Sequence, residues 1–269
     1  MIRKRYALLD TDFVSKMHLI GTAEGKKMID MIIAQQEYEF FCHEQIKIEL
    51  KRHNIADSYQ WLNEMIDSGR VKCLSDKDIL SELKAIYGKS FCIMYANMLQ
   101  NGCNAFKRDY FDKKFCGVNT VDFAKASESQ FCAILKNDCD NIGQSENLGE
   151  IKTYVLLQLL KIKYGNCIYV FCSDDKNARN GIVSIGGAKC MSILTAFLKL
   201  YTNRILSKAD AEPYYNSYIE FCHKHGQDKF KVYDTSKNLR AIKVDCEQVF
   251  CDIFDGKFVA LANGELKYI

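Results

Sequence analysis

The chain has 269 residues, 48% of them hydrophobic and 26% charged, a globular composition that excludes disordered, collagenous and low-complexity classes. Its 37 Lys and Arg against 34 Asp and Glu leave a net charge of +3, which excludes a grossly basic nucleic-acid coat protein but allows a local basic surface. The length fits one large domain, or one domain with a sizeable insertion or extension.

In chain order, Tyr6-Ala7-Leu8-Leu9 is a short apolar run ending in Asp10 and reads as a buried strand. A helix is predicted over 23–34, a strand over 38–41, helices over 43–52 and 55–66, and a strand over 71–74. This alternation predicts a parallel α/β sheet. Residues 76–145 have helical character and read as a helical insertion. The α/β pattern returns with a helix over 148–163, a strand over 167–172 closed by Ser173-Asp174-Asp175, a strand over 182–185 and a helix over 190–201. The remainder, 199–269, reads as a small β-rich C-terminal extension. Its apolar runs 251–254, 257–261 and 266–269 are separated by Asp255-Gly256 and Asn263-Gly264, both strong hairpin turns. Within 199–243 nine Lys and Arg face five Asp and Glu, a local excess of +4.

Thirteen cysteines, an odd number at irregular spacings, argue for reduced thiols used as small apolar side chains rather than a disulfide framework. Met1-Ile2-Arg3-Lys4-Arg5 is basic, but the apolar run after it stops at Asp10, too short for a signal peptide. No uncharged apolar stretch reaches membrane-spanning length. A cytoplasmic protein without a membrane partner is therefore expected. Cys222-His223-Lys224-His225 has no second Cys/His pair at zinc spacing, and Gly181-x4-Gly186 is followed by Gly187 rather than Lys, so neither a zinc nor a phosphate-loop motif is complete.

Ligands of open parallel sheets bind at the carboxyl ends of the strands, where the following helices begin. Asp10 and Asp12 follow the first strand, Asp174 and Asp175 follow the late one, Glu150 opens a helix and Glu49 lies on the helix after the second strand, with no obvious basic partner in sequence. Crowded carboxylates repel one another. A hard divalent cation, Mg²⁺ or Mn²⁺, relieves that repulsion and suits phosphodiester hydrolysis. Taken singly, each acid has a plainer role. Asp174-Asp175 would cap a helix from Lys176, Glu150 would complement a helix dipole, and Glu49 would pair with His53.

These residues resemble the PIN-domain nucleases. Leu8-Leu9-Asp10-Thr11-Asp12 resembles their opening motif, and Glu44-Gln45-Ile46-Lys47-Ile48-Glu49-Leu50 their second. Leu148-Gly149-Glu150 and Cys172-Ser173-Asp174-Asp175-Lys176-Asn177-Ala178-Arg179 resemble the Gly-Glu and Asp-Asp-Lys-x-Ala-Arg motifs of one branch. The resemblance covers about 1–75 and 146–198 and leaves the insertion and the extension unexplained. It departs from the family at Asp12, often Asn, and at Glu150, often Asp. It implies a three-layer α/β/α domain with a central parallel sheet and metal-dependent cleavage of nucleic acid, RNA before DNA. Asp10, Glu49, Glu150 and Asp174 would be catalytic metal ligands, Asp175 an alternative or outer acid, Asp12 an orienting group, and Glu44 a competitor of Glu49. It also implies a toxin paired with an antitoxin or other regulatory protein, and self-association into a homo-oligomer.

Two other readings fit parts of the pattern. A haloacid-dehalogenase-like phosphatase would use Asp10 as nucleophile and Asp12 as acid/base, leaving Glu49 and Glu150 without a role. A catalytically silent PIN-like binding module would use the insertion and extension to hold a partner. Within the insertion, Lys107, Arg108, Lys113 and Lys114 interleave with Tyr110, Phe111 and Phe115. That mix suits contact with single-stranded nucleic acid, or simply an amphipathic helix with a solvated basic face.

Overall fold

Short apolar runs buried on both faces build parallel sheets. The computed structural model describes residues 4–106, 109–142 and 147–269. Five strands, β1 (Arg5–Leu9), β2 (Tyr38–His43), β3 (Val71–Leu74), β4 (Ile168–Cys172) and β5 (Lys189–Met191), form one parallel sheet in the order β3-β2-β1-β4-β5. The chain steps outward from β1 through β2 to β3, then returns to the other side of β1 to lay down β4 and β5. The strand order therefore reverses between β1 and β4, where open sheets leave a crevice at their carboxyl edge.

Alternate side chains of each strand feed two separate cores. Ala7 and Leu9, Phe40 and Cys42, and Val170 and Cys172 face one side. They pack there under α1 (Thr11–Leu19), α2 (Met28–Ile33), α3 (Glu44–Arg52) and α4 (Ala56–Asp67). Tyr6 and Leu8, Phe41, and Tyr169 and Phe171 face the other. The helices on that side are α5 (Asp76–Tyr87), α6 (Phe91–Phe106), α7 (Tyr110–Lys114), α8 (Cys116–Asn119), α9 (Glu128–Ile142), α10 (Leu148–Tyr164) and α11 (Lys176–Gly186). The result is a three-layer α/β/α sandwich, as expected, and the helical stretch after Asp76 supplies most of one outer layer.

The C-terminal part completes the first layer with α12 (Ile193–Thr202), α13 (Lys208–Lys224) and α14 (Cys246–Phe254). It also adds a four-stranded sheet of β6 (Lys229–Tyr233), β7 (Ala241–Asp245), β8 (Phe258–Ala260) and β9 (Leu266–Tyr268), in the order β7-β6-β9-β8. All thirteen cysteines are free thiols. Among the described residues, no helix is long and apolar enough to cross a membrane.

Several local expectations are corrected. The helix expected over 23–34 shrinks to Met28–Ile33, because Gly21 bridges Lys27 and Gly25, at φ +80°, turns the chain between them. Residues 182–185 are not a strand but part of α11, whose N-terminus is capped by Asp175. The helix expected from Cys190 begins only at Ile193, after β5, where Ser192 and Thr195 form a capping box. Residues 251–254 end helix α14 rather than forming a strand, so Asp255-Gly256 joins a helix to β8. The Asn263-Gly264 hairpin joins β8 to β9 as expected. Helices α1 and α13 and the β6–β7 hairpin are additional elements.

Candidate functional site

The site is built from strand ends upward. Leu9 and Cys172 are register partners in β1 and β4, so the next residues, Asp10 and Ser173, emerge side by side at the carboxyl edge. The Asp10 amide donates to the Cys172 carbonyl (3.0 Å), and Ser173 Oγ donates to Asp10 Oδ2 (2.8 Å). Asp10 precedes α1, but its side chain makes no cap and lies almost fully buried. Ser173, also buried, receives the Asp175 amide on the same Oγ (3.1 Å), tying both strand ends together.

Helices α3 and α10 bring two more acids. His43 caps α3, its Nδ1 accepting from the Gln45 amide (3.0 Å). Glu49, further along α3, points inward, where Thr11 Oγ1 donates to its Oε2 (2.5 Å) and Gln45 Nε2 to its Oε1 (3.4 Å). The pairing with His53 is not made; His53 contacts Arg52 instead. The Glu49 carboxylate lies over Gly149, and Glu150 follows in the first turn of α10. Asp174 completes the edge, its Oδ1 accepting the Ile193 amide (3.3 Å). Asp175 is exposed and caps α11 through the Asn177 and Ala178 amides, so its capping role is realised.

Asp10, Asp12, Glu49, Glu150, Asp174 and Asp175 thus gather at this carboxyl edge as one acidic basin, near enough for their charges to act on one another. Burial pushes the Asp10 carboxyl well above the usual carboxylate range, and the charges of Glu150, Asp12 and Glu49 push it further against the Ser173 hydrogen bond. Burial, opposed by a backbone hydrogen bond and assisted by Glu49, Asp175 and Asp12, raises Glu150 to about 7. Burial also raises Asp12, against the pull of Lys16 and with the push of Asp174 and Asp175. Glu44 is exposed at the start of α3, and the acids that act most strongly on Asp10 and Glu150 are Glu49, Asp12, Asp175 and one another.

Four residues without an assigned role in the sequence reading shape the basin. Lys16 is the basic partner the sequence did not reveal; its Nζ lies 3.0 Å from both Asp12 Oδ2 and Asp174 Oδ2. The i,i+4 spacing from Asp12 is its only sequence signal. Thr11 and Ser173 orient Glu49 and Asp10. Arg179 donates from Nη1 to the Ser173 carbonyl (3.0 Å) and from Nε to the Asn263 carbonyl (2.8 Å), clamping the β8–β9 turn against the end of β4.

Behind the basin lies a buried polar group. Lys152, on α10 and fully buried, reaches both oxygens of Asp76 (2.9 Å each) and Tyr95 Oη (3.0 Å). His43 Nε2 lies 3.1 Å from Asp76 Oδ1, and Tyr95 also donates to that carboxylate. With Nδ1 of His43 accepting at the cap of α3, Nε2 is its donor to Asp76. Burial opposes the Asp76 charge, but Lys152 and His43 hold it far below the usual carboxylate range. The group links the amino ends of α3 and α10, the helices that carry Glu49 and Glu150.

Lys113 and Lys114 lie on α7, where Tyr110, Phe111 and the following Phe115 are buried in the helical layer, so the aromatics serve the core and offer no stacking surface. Lys107 and Arg108 lie outside the described residues.

Among the described residues, no three His, Cys, Asp or Glu side chains are drawn into a ready-made ion cage. The donor set is nonetheless that of a hard divalent cation, all carboxylate oxygen with no thiolate or imidazole among the facing groups. Asp10 is buried among acids, with a serine hydroxyl as its hydrogen-bond donor and, among the described residues, no cation in ion-pair contact with it. No family model matches the chain, and neither a curated protein nor a solved structure matches it significantly.

Proposed function

We propose that the protein is a metal-dependent nuclease of PIN-like design that hydrolyses phosphodiester bonds, RNA before DNA, with Mg²⁺ or Mn²⁺ as cofactor. The observation that carries this reading is the convergence of Asp10, Glu49, Glu150 and Asp174 on the edge between β1 and β4. A basin in which Asp10, Asp12 and Glu150 are held at raised proton affinity is unfavourable on its own account, and a divalent cation relieves it. Asp10, Glu49, Glu150 and Asp174 would hold the ion, with Asp175 and Asp12 outside them. Bound there, the ion would supply an acidified water and positive charge for the phosphate. Ser173 and Thr11 fix the Asp10 and Glu49 carboxylates, so little side-chain freedom is lost when they bind. Lys16 keeps Asp12 and Asp174 from repelling each other. Glu150, titrating near 7, can hold or release a proton at neutral pH.

The test is cleavage of labelled single-stranded RNA and DNA with Mn²⁺, with Mg²⁺ and with EDTA, using wild type beside Asp10→Asn. Metal-dependent cutting of RNA that the variant lacks, with its thermal stability unchanged or raised, is the expected result. Equal losses of stability and activity would make Asp10 a structural residue. No cutting with either metal would end the nuclease reading, and a generic phosphate-ester assay would then separate the phosphatase from the silent binding module. The PIN resemblance also implies an inhibitory partner; expression that arrests growth only when cutting is intact tests the toxin role.

A further inference from the structure

The outer face of the C-terminal sheet carries more cations than the carboxylates of Asp245 and Glu265 beside it offset. Strand alternation buries Phe230 and Val232 of β6 and turns Lys229, Lys231 and Tyr233 the other way. On β7, Ile242 and Val244 pack inward while Lys243 is exposed; on β9, Leu266 is buried and Lys267 takes the opposite side. The register sets Lys231 opposite Lys243 and Tyr233 opposite Lys267. Like charges directly opposite one another destabilise a sheet. Lys229 is neutralised by Asp245 (3.2 Å), but among the described residues no carboxylate lies within ion-pair distance of Lys231, Lys243 or Lys267.

The face continues to the acid basin. Lys176, the residue after Asp175, ion-pairs with Glu265 at the start of β9 (3.1 Å) and stands beside Lys231. That neighbour depresses the proton affinity of the Lys231 ammonium. The Arg179 clamp and the hydrogen bond from Ser192 Oγ to the Gly264 carbonyl (2.6 Å) hold the sheet firmly against the carboxyl edge. Tyr233 adds a half-buried ring with the Lys231 ammonium 5.8 Å from its centroid. A basin of six acids repels a polyanion, so a phosphate chain needs its anchoring cations outside that basin. Lys231, Lys243 and Lys267 are such cations, on a rigid surface, with an aromatic ring among them.

We propose that this sheet face is a docking track for a single-stranded polynucleotide, with Lys231, Lys243 and Lys267 on the phosphates, Tyr233 against a base, and Lys176 at the junction with the acid edge. The identity of the polymer rests on the nuclease reading above; binding and cutting are separable.

The experiment measures binding of a fluorescent 20-nucleotide single-stranded RNA by anisotropy in EDTA, where cutting is off, over a range of KCl. Wild type is compared with the triple variant Lys231→Thr, Lys243→Thr, Lys267→Thr and with a control, Lys89→Thr with Lys136→Thr, on the helical layer. Threonine suits strands, and removing the Lys231–Lys243 opposition should leave melting unchanged or slightly raised. The triple variant is expected to lower the slope of log K against log[KCl] by about 2, some 0.7 per lost phosphate contact, and to weaken binding at least tenfold near 0.1 M salt. The control should bind like wild type. An unchanged slope in the triple variant overturns the proposal, as does wild-type binding to phosphatidylserine vesicles but not to RNA. Wild type that binds through this face yet cuts nothing with Mn²⁺ sinks the nuclease reading and leaves the track standing. Wild type that cuts RNA while the triple variant binds it equally well does the reverse.

Discussion

Gly149 leaves open the space that the Glu49 carboxylate fills. A Cβ on residue 149 would lie 2.5 Å from Glu49 Oε2 and 2.8 Å from Oε1, while the Gly149 backbone stays in ordinary helical geometry. The close approach, not a special backbone angle, is what requires glycine at the start of α10. It places two acids from different helices, Glu49 and Glu150, against each other.

Gly149→Ala is therefore expected to separate folding from function. Alanine favours the helix by up to about 1 kcal/mol, and the displaced Glu49 loses one hydrogen bond from Thr11, worth about 1 kcal/mol. Melting should change little while metal-dependent cutting and Mn²⁺ affinity each fall at least tenfold. A large drop in melting temperature would show instead that the backbone of α10 has shifted.

The raised Glu150 sets a pH dependence of stability. Its carboxyl titrates near 4.5 when unfolded and about 7 when folded. Below 4.5 both states hold the proton; between 4.5 and 7 only the folded state does, so stability falls as pH rises through that window and levels above it. The fall is at most about 3 kcal/mol. His18, whose proton affinity burial lowers, slopes the other way. The readout is thus the difference between wild type and Glu150→Gln, by denaturant unfolding in EDTA from pH 4 to 8. A difference flat across the window would refute the raised value. Mn²⁺ should stabilise wild type at pH 8 and do little at pH 5.

Lys16 bridges Asp12 and Asp174 from about one quarter exposure. Among the described residues, Lys16 is the only cation bonded to the basin acids, and Lys16→Met removes it. In EDTA its melting temperature should fall, by the equivalent of about 1–2 kcal/mol, and Mn²⁺ should raise it by more than it raises wild type. Equal metal-induced shifts in the two proteins would mean that Lys16 does not share the electrostatics of the site.

Lys152→Met tests the buried group that joins α3 to α10. The side chain volumes are similar, but Asp76 loses its main counter-charge. Removing one member of a buried pair costs roughly 3–5 kcal/mol, and the lower end applies because the Asp76 side chain is 29% exposed. Denaturant unfolding should report that loss at pH 7. A variant as stable as wild type would show that His43 and Tyr95 hold Asp76 without Lys152.

Much of the fold is readable in local pattern. Ala7-Leu8-Leu9 and Tyr169-Val170-Phe171-Cys172 are continuous apolar runs because both their faces are buried, and such runs with helices between them specify a parallel sheet whatever the details. Strand ends followed by acids then put Asp10 and Asp174 on one edge by topology alone. Local pattern misleads where burial does not follow it. Ile182-Val183 and Cys251 to Phe254 have strand-like composition, but one face of a helix suffices to bury their apolar side chains.

What tertiary structure decided is which groups meet across long sequence distances. Lys16 lies 158 residues from Asp174 and Lys152 lies 76 from Asp76, and no periodicity encodes either pairing. The same holds for the cationic sheet face. Lys231, Lys243 and Lys267 are unremarkable singly, and only the strand register gathers them on one side of one surface. Short-range rules act through backbone geometry and therefore show in the sequence. Charge and hydrogen-bond partners act through space, and they become definite only when the chain has folded.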